Sequence, residues 1–583
     1  MIEGPGYPSW RPSDEMTAGT FSSESPSRPF SDPVTVEVIR YGLDAAAEQM
    51  ARSIERSARS QVIREMLDYS TAVFDTEGGV IAQSTRVPIH LNSMTRALQT
   101  ILRDYYPVEE WSPGDIFATN DPYSGGQHLP DIMTFSVVEA DRPAAIVGTV
   151  GHHLDVGGRA AGSYGADATD IFQEGFRIKP CRVVEAGHPS QLFFDLLAAN
   201  IRVPDKTLAD LQAQFASLEL GRVEIHRLLA RYGIDTFAAA VDELVSHSEI
   251  RMRQAIETLP EGVFKASDWV DGDGLGDDPI LIAVAVWRKG SDLIVDFSNT
   301  DGQTRGPINC PLGATESAVY FTALSMLAPT LPSNYGCYKP IQVIAPSGSI
   351  VNPSSPAPVV GRNVVGHRIV NVLTAALSDA LPDRAVAAYY GNSNVYVLST
   401  TDDTGRANVL FEIEVGGWGA RVDRDGHDCL SAGVHNLMNN PVELVEREFP
   451  ARVISYSLRS DSGGAGRHRG GLGVQRVIEA LAPCEFSAQF DRVKFAPPGR
   501  DGGLPGKPAR ITVLAGGIET ELPGKVLGYK LNPHDRVVIE TQGGGGFGPP
   551  HERELLAIEQ DVAFGKVTER PARRRQQASA FHD

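Results

Sequence analysis

The chain has 583 residues, a formal net charge of −20 and a sequence pI near 5.2. An acidic balance of this size argues against nucleic acid as a partner, because phosphate binding needs clustered Lys and Arg. The five cysteines are widely spaced and form no CxxC motif, which excludes a disulfide framework and a zinc ribbon and is typical of a reducing cytoplasm. No apolar stretch approaches the roughly 18 residues of a membrane span, so the sequence predicts a cytoplasmic protein without membrane contact.

The first 33 residues are rich in Pro, Ser and Gly and have no apolar signal-peptide region, which predicts a disordered lead. Residues 35–63 follow with the apolar spacing of a helix. Residues 71–74 and 80–82 are typical of two strands joined by a turn.

A β-hairpin is predicted next, from two strand-like runs at residues 132–139 and 144–151. If its turn is centred on Asp141 and Arg142, Asp131 lies opposite His152, with the two Cβ atoms about 5 Å apart. A slip of one residue would replace His152 by His153 and invert the face.

His128 precedes Asp131 by three positions on the glycine-rich loop 120–131, so its imidazole can fold over the same point. Two imidazoles and a carboxylate are suitable ligands for one divalent transition metal such as Zn, Mn or Fe, with the remaining positions left for water or substrate. The alternative interpretation is that Asp131 is a turn residue and that the histidines are ordinary strand-end residues, because His, Asp and Gly all favour loops.

Three further polar residues flank this region. Asp121 and Asp155 are candidate ligands, or candidate groups that orient the imidazole N–H groups. His90 is another candidate, although taken alone it is typical of a packed loop histidine. The chain contains no P-loop, dinucleotide fingerprint, nucleophile elbow or catalytic-cysteine signature.

Residues 206–258 predict two or three helices separated near Gly221 and Gly233. The rest is mostly β-like, with one long helix predicted at residues 368–381 and strands at residues 280–287, 293–297, 452–458, 474–480 and 510–514.

The glycine-rich run 461–473 could form a phosphate cradle, because it offers backbone N–H groups and two arginines. We favour a structural interpretation, since glycines between short strands usually serve tight turns and close backbone approach. Residues 416–421, preceded by Glu412 and Glu414, could line a pocket or form a buried strand.

The predicted fold class is α+β and multi-domain, with helical segments in the N-terminal half and a β-rich, glycine-rich C-terminal half. The predicted units are a disordered lead (1–33), a metal-site α/β domain (34–205), a helical segment (206–262), a central α+β domain (263–450), a β-rich C-terminal domain (451–566) and a basic flexible tail (567–583).

These segments together resemble the hydantoinase B family, which also includes the C-terminal half of ATP-dependent 5-oxoprolinase and the alpha subunit of acetone carboxylase. The similarity extends from about residue 32 to the end of the chain. It is carried by residues 64–75, 88–94, 120–132, 151–158, 169–175, 305–309, 416–421, 461–473 and 541–548.

The resemblance implies a B-type subunit that works in a hetero-oligomer with a hydantoinase A-like ATPase subunit of the sugar-kinase/actin-like class. ATP would be used through that partner. The family's metal positions match His128, Asp131 and His152. The chain departs from the family pattern at Gln127, where Thr is more common, and at the pair His152–His153, so the resemblance leaves open which imidazole binds the metal.

The leading functional hypothesis is ATP-dependent hydrolysis of a cyclic amide that the partner activates by phosphorylation. Asp121 or Asp155 would orient the ligands, and His90 or His153 would move protons. The alternative is a subunit of an ATP-dependent ketone carboxylase of the acetone or acetophenone type. A second alternative is a scaffold subunit without catalytic function.

Overall fold

A computed structural model of the protein describes residues 32–568. The predicted disordered lead and basic tail lie almost wholly outside this range. The described residues fold into helices and four β-sheets, which confirms the predicted α+β, multi-domain class. Among them, no helix combines the length and the apolar composition that a membrane span requires.

The α-helices of the described residues are α1 (Pro33–Ser57), α2 (Gln61–Arg64), α3 (His90–Thr100), α4 (Gln191–Asn200), α5 (Pro204–Tyr232), α6 (Ile234–Glu257), α7 (Leu312–Leu327), α8 (Asn363–Ala380), α9 (Val442–Glu448) and α10 (Leu555–Ala563). Short 3₁₀ turns and one π turn, which begins at Ile101, occur between them.

The strands of the N-terminal half are β1 (Tyr69–Phe74), β2 (Val80–Gln83), β3 (Ile116–Thr119), β4 (Asp131–Glu139), β5 (Pro143–His152), β6 (Cys181–Glu185), β7 (His188–Pro189), β8 (Phe264–Val270) and β9 (Ile280–Lys289). Those that follow are β10 (Asp292–Asp296), β11 (Ile341–Ile344), β12 (Asn394–Thr401), β13 (Ala407–Glu414), β14 (Ala451–Leu458), β15 (Val474–Ala480), β16 (Cys484–Gln489), β17 (Arg510–Ala515), β18 (Ile518–Leu522), β19 (Lys525–Leu531) and β20 (Arg536–Glu540).

A seven-stranded antiparallel sheet, in the order β2-β1-β5-β4-β3-β6-β7, organises the N-terminal half. Its β4–β5 hairpin has the predicted register, with Asp131 opposite His152. On the other side of β5, Tyr69 of β1 pairs with Gly151. The next backbone contact runs from the His152 N–H to the Asp68 carbonyl at 3.0 Å. His152 therefore lies between two aspartates of the same sheet, Asp131 on β4 and Asp68 directly before β1.

Both faces of this sheet are buried, which explains the nearly continuous apolar runs of β1, β4 and β5. Helices α1, α5 and α6 cover one face, and α3 packs against the other, together with residues of the central region. The predicted break near Gly233 is confirmed, because its φ of 76° ends α5. The break near Gly221 is wrong. That residue lies inside α5, where an added Cβ would come 2.4 Å from Met50 Sδ of α1, so the glycine allows the two helices to pack closely.

The central region contains the sheet β11-β10-β9-β8 with α7 and α8. The predicted helix 368–381 is present as α8, but it begins at Asn363. This earlier start makes Arg362 the residue before the helix, on the loop that faces the hairpin. In the C-terminal region, the sheets β13-β12-β16-β19 and β14-β15-β20-β17-β18 pack over a shared apolar core.

A glycine mesh, formed by residues 416–419, 463–473, 499–506 and 543–546, joins these regions backbone to backbone. The Gly471 N–H donates to Trp418 O at 2.8 Å, and the Gly544 N–H donates to Gly471 O at 2.9 Å. An added Cβ on Gly544 would lie 1.9 Å from Trp418 O, and one on Gly417 would lie 1.9 Å from Gly471 O. Close backbone approach thus accounts for these glycines, in support of the structural interpretation of residues 461–473.

Candidate metal centre

Three side chains meet where the hairpin strands end. Asp131 begins β4, His152 ends β5, and His128 lies on the preceding loop. His128 Nε2 lies 3.0 Å from Asp131 Oδ1 and 3.2 Å from His152 Nδ1, and His152 Nδ1 lies 3.1 Å from the same oxygen. All three residues are buried.

The hydrogen bond at Nδ1 of His128 determines the tautomer of the ring, and therefore which nitrogen is free to bind a metal. Its Nδ1 lies 2.9 Å from the Val360 carbonyl, which can only accept, so Nδ1 carries the proton. Burial lowers the pKa of His128 to about 4, which disfavours a second proton on Nε2. The Nε2 lone pair of His128 therefore faces Asp131 Oδ1. A cation bound between these two atoms would remove the repulsion between the lone pair and the negative oxygen.

The spacing of the three atoms fits a metal ion. With metal–ligand bonds of about 2.0–2.1 Å, neighbouring corners of a tetrahedron lie about 3.3 Å apart. The observed separations of 3.0–3.2 Å are close to this value. Two imidazole nitrogens and one carboxylate oxygen, together with an open fourth position, are a donor set typical of catalytic zinc and related divalent metals.

Arg362 fixes the carboxylate of Asp131. Its Nη2 donates to Asp131 Oδ2 at 2.7 Å, and its Nε donates to Gln127 Oε1 at 2.8 Å. Burial raises the pKa of Asp131, but the charge of Arg362 and the hydrogen bond with His152 outweigh this effect and hold that pKa well below its usual value. The carboxylate is thus ionised and has one oxygen directed at the imidazoles.

Asp68 lies beside the three candidate ligands and was not predicted as a site residue. Its Oδ2 is 3.9 Å from His152 Nδ1, and burial raises its pKa to about 6. Asp68 precedes β1, so its position follows from the β1–β5 pairing. The sequence signal that could have revealed it is an acidic residue at the entry of a buried strand.

His90 was predicted as a candidate and lies at the same site, at the start of α3 rather than in a loop. Its Nε2 is 3.8 Å from Asp68 Oδ1 and 3.9 Å from Asp131 Oδ2, and its Nδ1 is 3.0 Å from Ser70 Oγ. Burial lowers its pKa to about 3, so the ring is neutral.

The other predicted residues have different surroundings. His153 Nε2 is 2.9 Å from Gln214 Oε1 on α5, on the opposite face of the hairpin from the three candidate ligands. Asp121 accepts two 2.9 Å hydrogen bonds from Arg177 and caps its own turn. Asp155 accepts from the N–H groups of residues 157 and 162, and from Arg202. Asp121 thus holds the loop that carries His128, and Asp155 holds the loop that follows His152.

A cavity of about 600 Å³ reaches inward from the surface to Ser70 and His90. Its wall is mixed, with apolar side chains such as Ile81, Met94 and Phe321 and polar ones such as Gln83. His90 therefore lines this cavity and lies 3.9 Å from one of the three candidate ligands, Asp131. A volume of this size accommodates a small molecule.

Comparison with known proteins identifies the family of the chain. The family model described as hydantoinase B/oxoprolinase matches residues 32–550. The B-type component of the putative D-/L-hydantoinase from a Pseudomonas species (strain NS671) is 33% identical, over 93% of this chain and 94% of the relative.

Two solved structures have a similar fold. The ATP-dependent caprolactamase from Pseudomonas jessenii superposes with a TM-score of 0.87 at 28% identity, over 93% of this chain and 95% of that chain. The nucleotide-free acetone carboxylase has a TM-score of 0.84 at 18% identity, over 93% and 79% of the two chains, and shows likeness of fold alone. From the family match along most of its length, the chain belongs to the hydantoinase B/oxoprolinase family.

Proposed function

We propose that this chain is the metal-binding subunit of an ATP-dependent amidohydrolase, which opens a cyclic amide after a partner ATPase subunit has phosphorylated it. An unactivated amide is a poor electrophile, whereas phosphorylation of the amide oxygen gives a carbon that water can attack. The observation that carries the proposal is the convergence of His128 Nε2, Asp131 Oδ1 and His152 Nδ1 within 3.2 Å of one another.

When bound, a divalent metal at this position supplies electrophilic assistance to the carbon under attack and lowers the pKa of water. Asp68 Oδ2 lies 3.9 Å from His152 Nδ1, and its carboxylate accepts the proton of the attacking water. That proton passes to the ring nitrogen as the C–N bond breaks, and a second water hydrolyses the resulting acyl phosphate to the ring-opened acid and free phosphate. The neutral ring of His90 lines the cavity with its Nε2 at 3.8 Å from Asp68 Oδ1, where it contacts the incoming substrate. Asp121 holds the loop that carries His128, Asp155 holds the loop that follows His152, and His153 anchors the end of β5 to α5.

The substrate class is a small lactam or hydantoin-like ring. The cavity beside His90 has the size and mixed polarity for such a molecule. The names of the more similar relatives, a hydantoinase subunit and a caprolactamase, support ring opening over ketone carboxylation, for which the acetone carboxylase likeness offers the fold only. The hydantoinase relative is named as a subunit, and the caprolactamase is named as ATP-dependent. Both names support a hydantoinase A-like ATPase partner and a hetero-oligomer.

Metal analysis of the purified full chain tests the proposal. Wild type is compared with His128→Ala, Asp131→Ala and His152→Ala, and His188→Ala serves as a matched control, because His188 lies exposed on β7. We expect about one transition metal per chain in wild type and in the control, and loss of that metal in the three variants. A wild type purified without chelator that holds no metal would refute the proposal.

A second step defines the reaction. The chain is co-expressed with a hydantoinase A-like subunit, and ATP-dependent ring opening is followed for a hydantoin, a lactam and 5-oxoproline. Bicarbonate-dependent consumption of a ketone, without ring opening, would instead assign the chain to the carboxylases.

A further inference from the structure

The loop before α8 contacts two of the three candidate metal ligands. The Val360 carbonyl accepts the Nδ1–H of His128 at 2.9 Å. Two residues later, Arg362 Nη2 donates to Asp131 Oδ2 at 2.7 Å. The orientation of both ligands therefore depends on residues 359–362, which have no regular secondary structure before α8 begins.

Glu174 holds this loop through two hydrogen bonds from the loop backbone. Its Oε1 accepts the N–H of Val359 at 2.8 Å and the N–H of Val360 at 2.9 Å. Both valines are fully buried, so these two N–H groups would be costly to leave without an acceptor. Glu174 is itself only 1% exposed, and no other side chain of the described residues provides this acceptor.

The peptide groups connect Glu174 to the ligands in sequence. The first peptide group joins Val359 to Val360. Its N–H, on Val360, donates to Glu174. Its carbonyl, on Val359, accepts the Arg362 N–H at 2.9 Å. The following peptide group carries the carbonyl that orients His128. Rotation of the first group would thus move Arg362 and the acceptor of His128 together.

We propose that Glu174 is a positioning residue of the metal centre, which orients His128 and Asp131 through the loop 359–362. This inference rests on the proposed function, since it assumes that the three residues bind a metal. Groups that orient metal ligands through hydrogen bonds contribute about 10–100-fold to metal affinity. Burial also raises the pKa of Glu174 well above its usual value, which favours the neutral acid, so glutamine reproduces both its shape and its charge.

The test compares Glu174→Ala with Glu174→Gln in the full chain. Zn²⁺ affinity is measured by competition with a chromophoric chelator, and the visible absorption of the Co²⁺-substituted protein reports ligand geometry. We expect Glu174→Ala to weaken Zn²⁺ binding by about 10–100-fold and to change the Co²⁺ spectrum. Glu174→Gln retains the acceptor oxygen and should stay within about threefold of wild type, with an unchanged spectrum.

Asp115→Ala is the matched control for lost stability. Asp115 is a fully buried carboxylate that accepts the backbone N–H groups of Ser112 and Ala186, away from the candidate ligands. Its removal should lower the unfolding midpoint without changing metal affinity. The inference is overturned if Glu174→Ala keeps wild-type affinity and spectrum, or if Glu174→Gln is as impaired as Glu174→Ala. A wild type that binds no metal would refute the proposed function itself, so the two failures are distinguishable.

Discussion

Arg362 donates a 2.7 Å hydrogen bond to Oδ2 of Asp131, which leaves Oδ1 of the same carboxylate directed at His128 and His152. Both partners are nearly fully buried. A buried carboxylate without this partner would be free to rotate, and its negative charge would lack compensation before a metal binds. The pair therefore prepares the geometry that a metal ion requires.

Replacement of Arg362 by glutamine tests this relationship. We expect metal affinity to fall by about 10–100-fold, because the orientation of Asp131 is no longer fixed. Competition with a chelator measures the affinity. Arg469→Gln is the control, because Arg469 also pairs with a buried carboxylate, that of Asp561, in the C-terminal region away from the three candidate ligands. Equal affinity in wild type and Arg362→Gln would contradict the prediction.

Asp68→Asn tests the proposed base. We expect the metal content to remain and kcat for ring opening to fall by about 100-fold or more, since a positioned base contributes roughly 10²–10⁴-fold. Burial raises the pKa of Asp68 to about 6, and a bound cation lowers it. The carboxylate acts as a base only when ionised, so wild-type activity should decline with falling pH at or below about pH 6. This decline should be absent from the residual activity of the variant. Loss of the metal in Asp68→Asn would identify Asp68 as a ligand instead.

Glu412 should make the stability of the protein depend on pH. Burial raises its pKa from 4.5 to about 7, despite Arg476 Nη1 at 3.2 Å from its Oε2. Because the folded-state pKa is raised, the stabilising contribution is complete below pH 4.5 and is lost as pH rises through about 7. By linkage, the free energy of unfolding that is lost over this pH range is roughly 3 kcal/mol. Urea unfolding at pH 5 and pH 7.5 measures how much the free energy of unfolding falls between these two pH values. This fall should be smaller in Glu412→Gln than in wild type, by about the amount that Glu412 contributes. If the free energy of unfolding changed equally with pH in wild type and in Glu412→Gln, Glu412 would have an ordinary pKa in the folded protein.

Gly544→Ala should destabilise the fold without any change in charge. The added methyl carbon would lie 1.9 Å from Trp418 O, and only movement of the backbone can relieve the overlap. We expect a loss of about 3 kcal/mol, at the upper end for overpacking. Gly276→Ala is the control, because no atom lies within 4 Å of its added Cβ. Chemical denaturation compares the two variants, and equal unfolding midpoints would disprove the steric explanation.

The local parts of the site could be predicted from the sequence. Strand alternation and the hairpin turn determine the register, so the amino-acid pattern alone was enough to place Asp131 and His152 opposite each other. The short loop distance between His128 and Asp131 restricted the third residue to the same place.

Residues that reach the centre from distant parts of the chain could not be predicted in this way. Asp68 depends on β1 pairing with β5, Arg362 depends on the docking of α8, and Glu174 acts through two backbone N–H groups. None of these relationships has a periodicity that a sequence window can detect. The predicted helix break at Gly221 failed for a similar reason, since its cause is contact with another helix.

The glycine mesh has a consequence for how the molecule folds. Its four segments are separated by tens of residues, and their contacts are made by backbone atoms, so few apolar side chains can drive them together early. The mesh can close only after the surrounding sheets have collapsed, and the bond from the Gly545 N–H to Ala388 O then ties the C-terminal region to the segment after α8. Amide hydrogens of residues 543–546 should therefore acquire protection late during refolding. The mesh can close only when the C-terminal region and the segment after α8 are both in place, so the last step of folding depends on the two regions together.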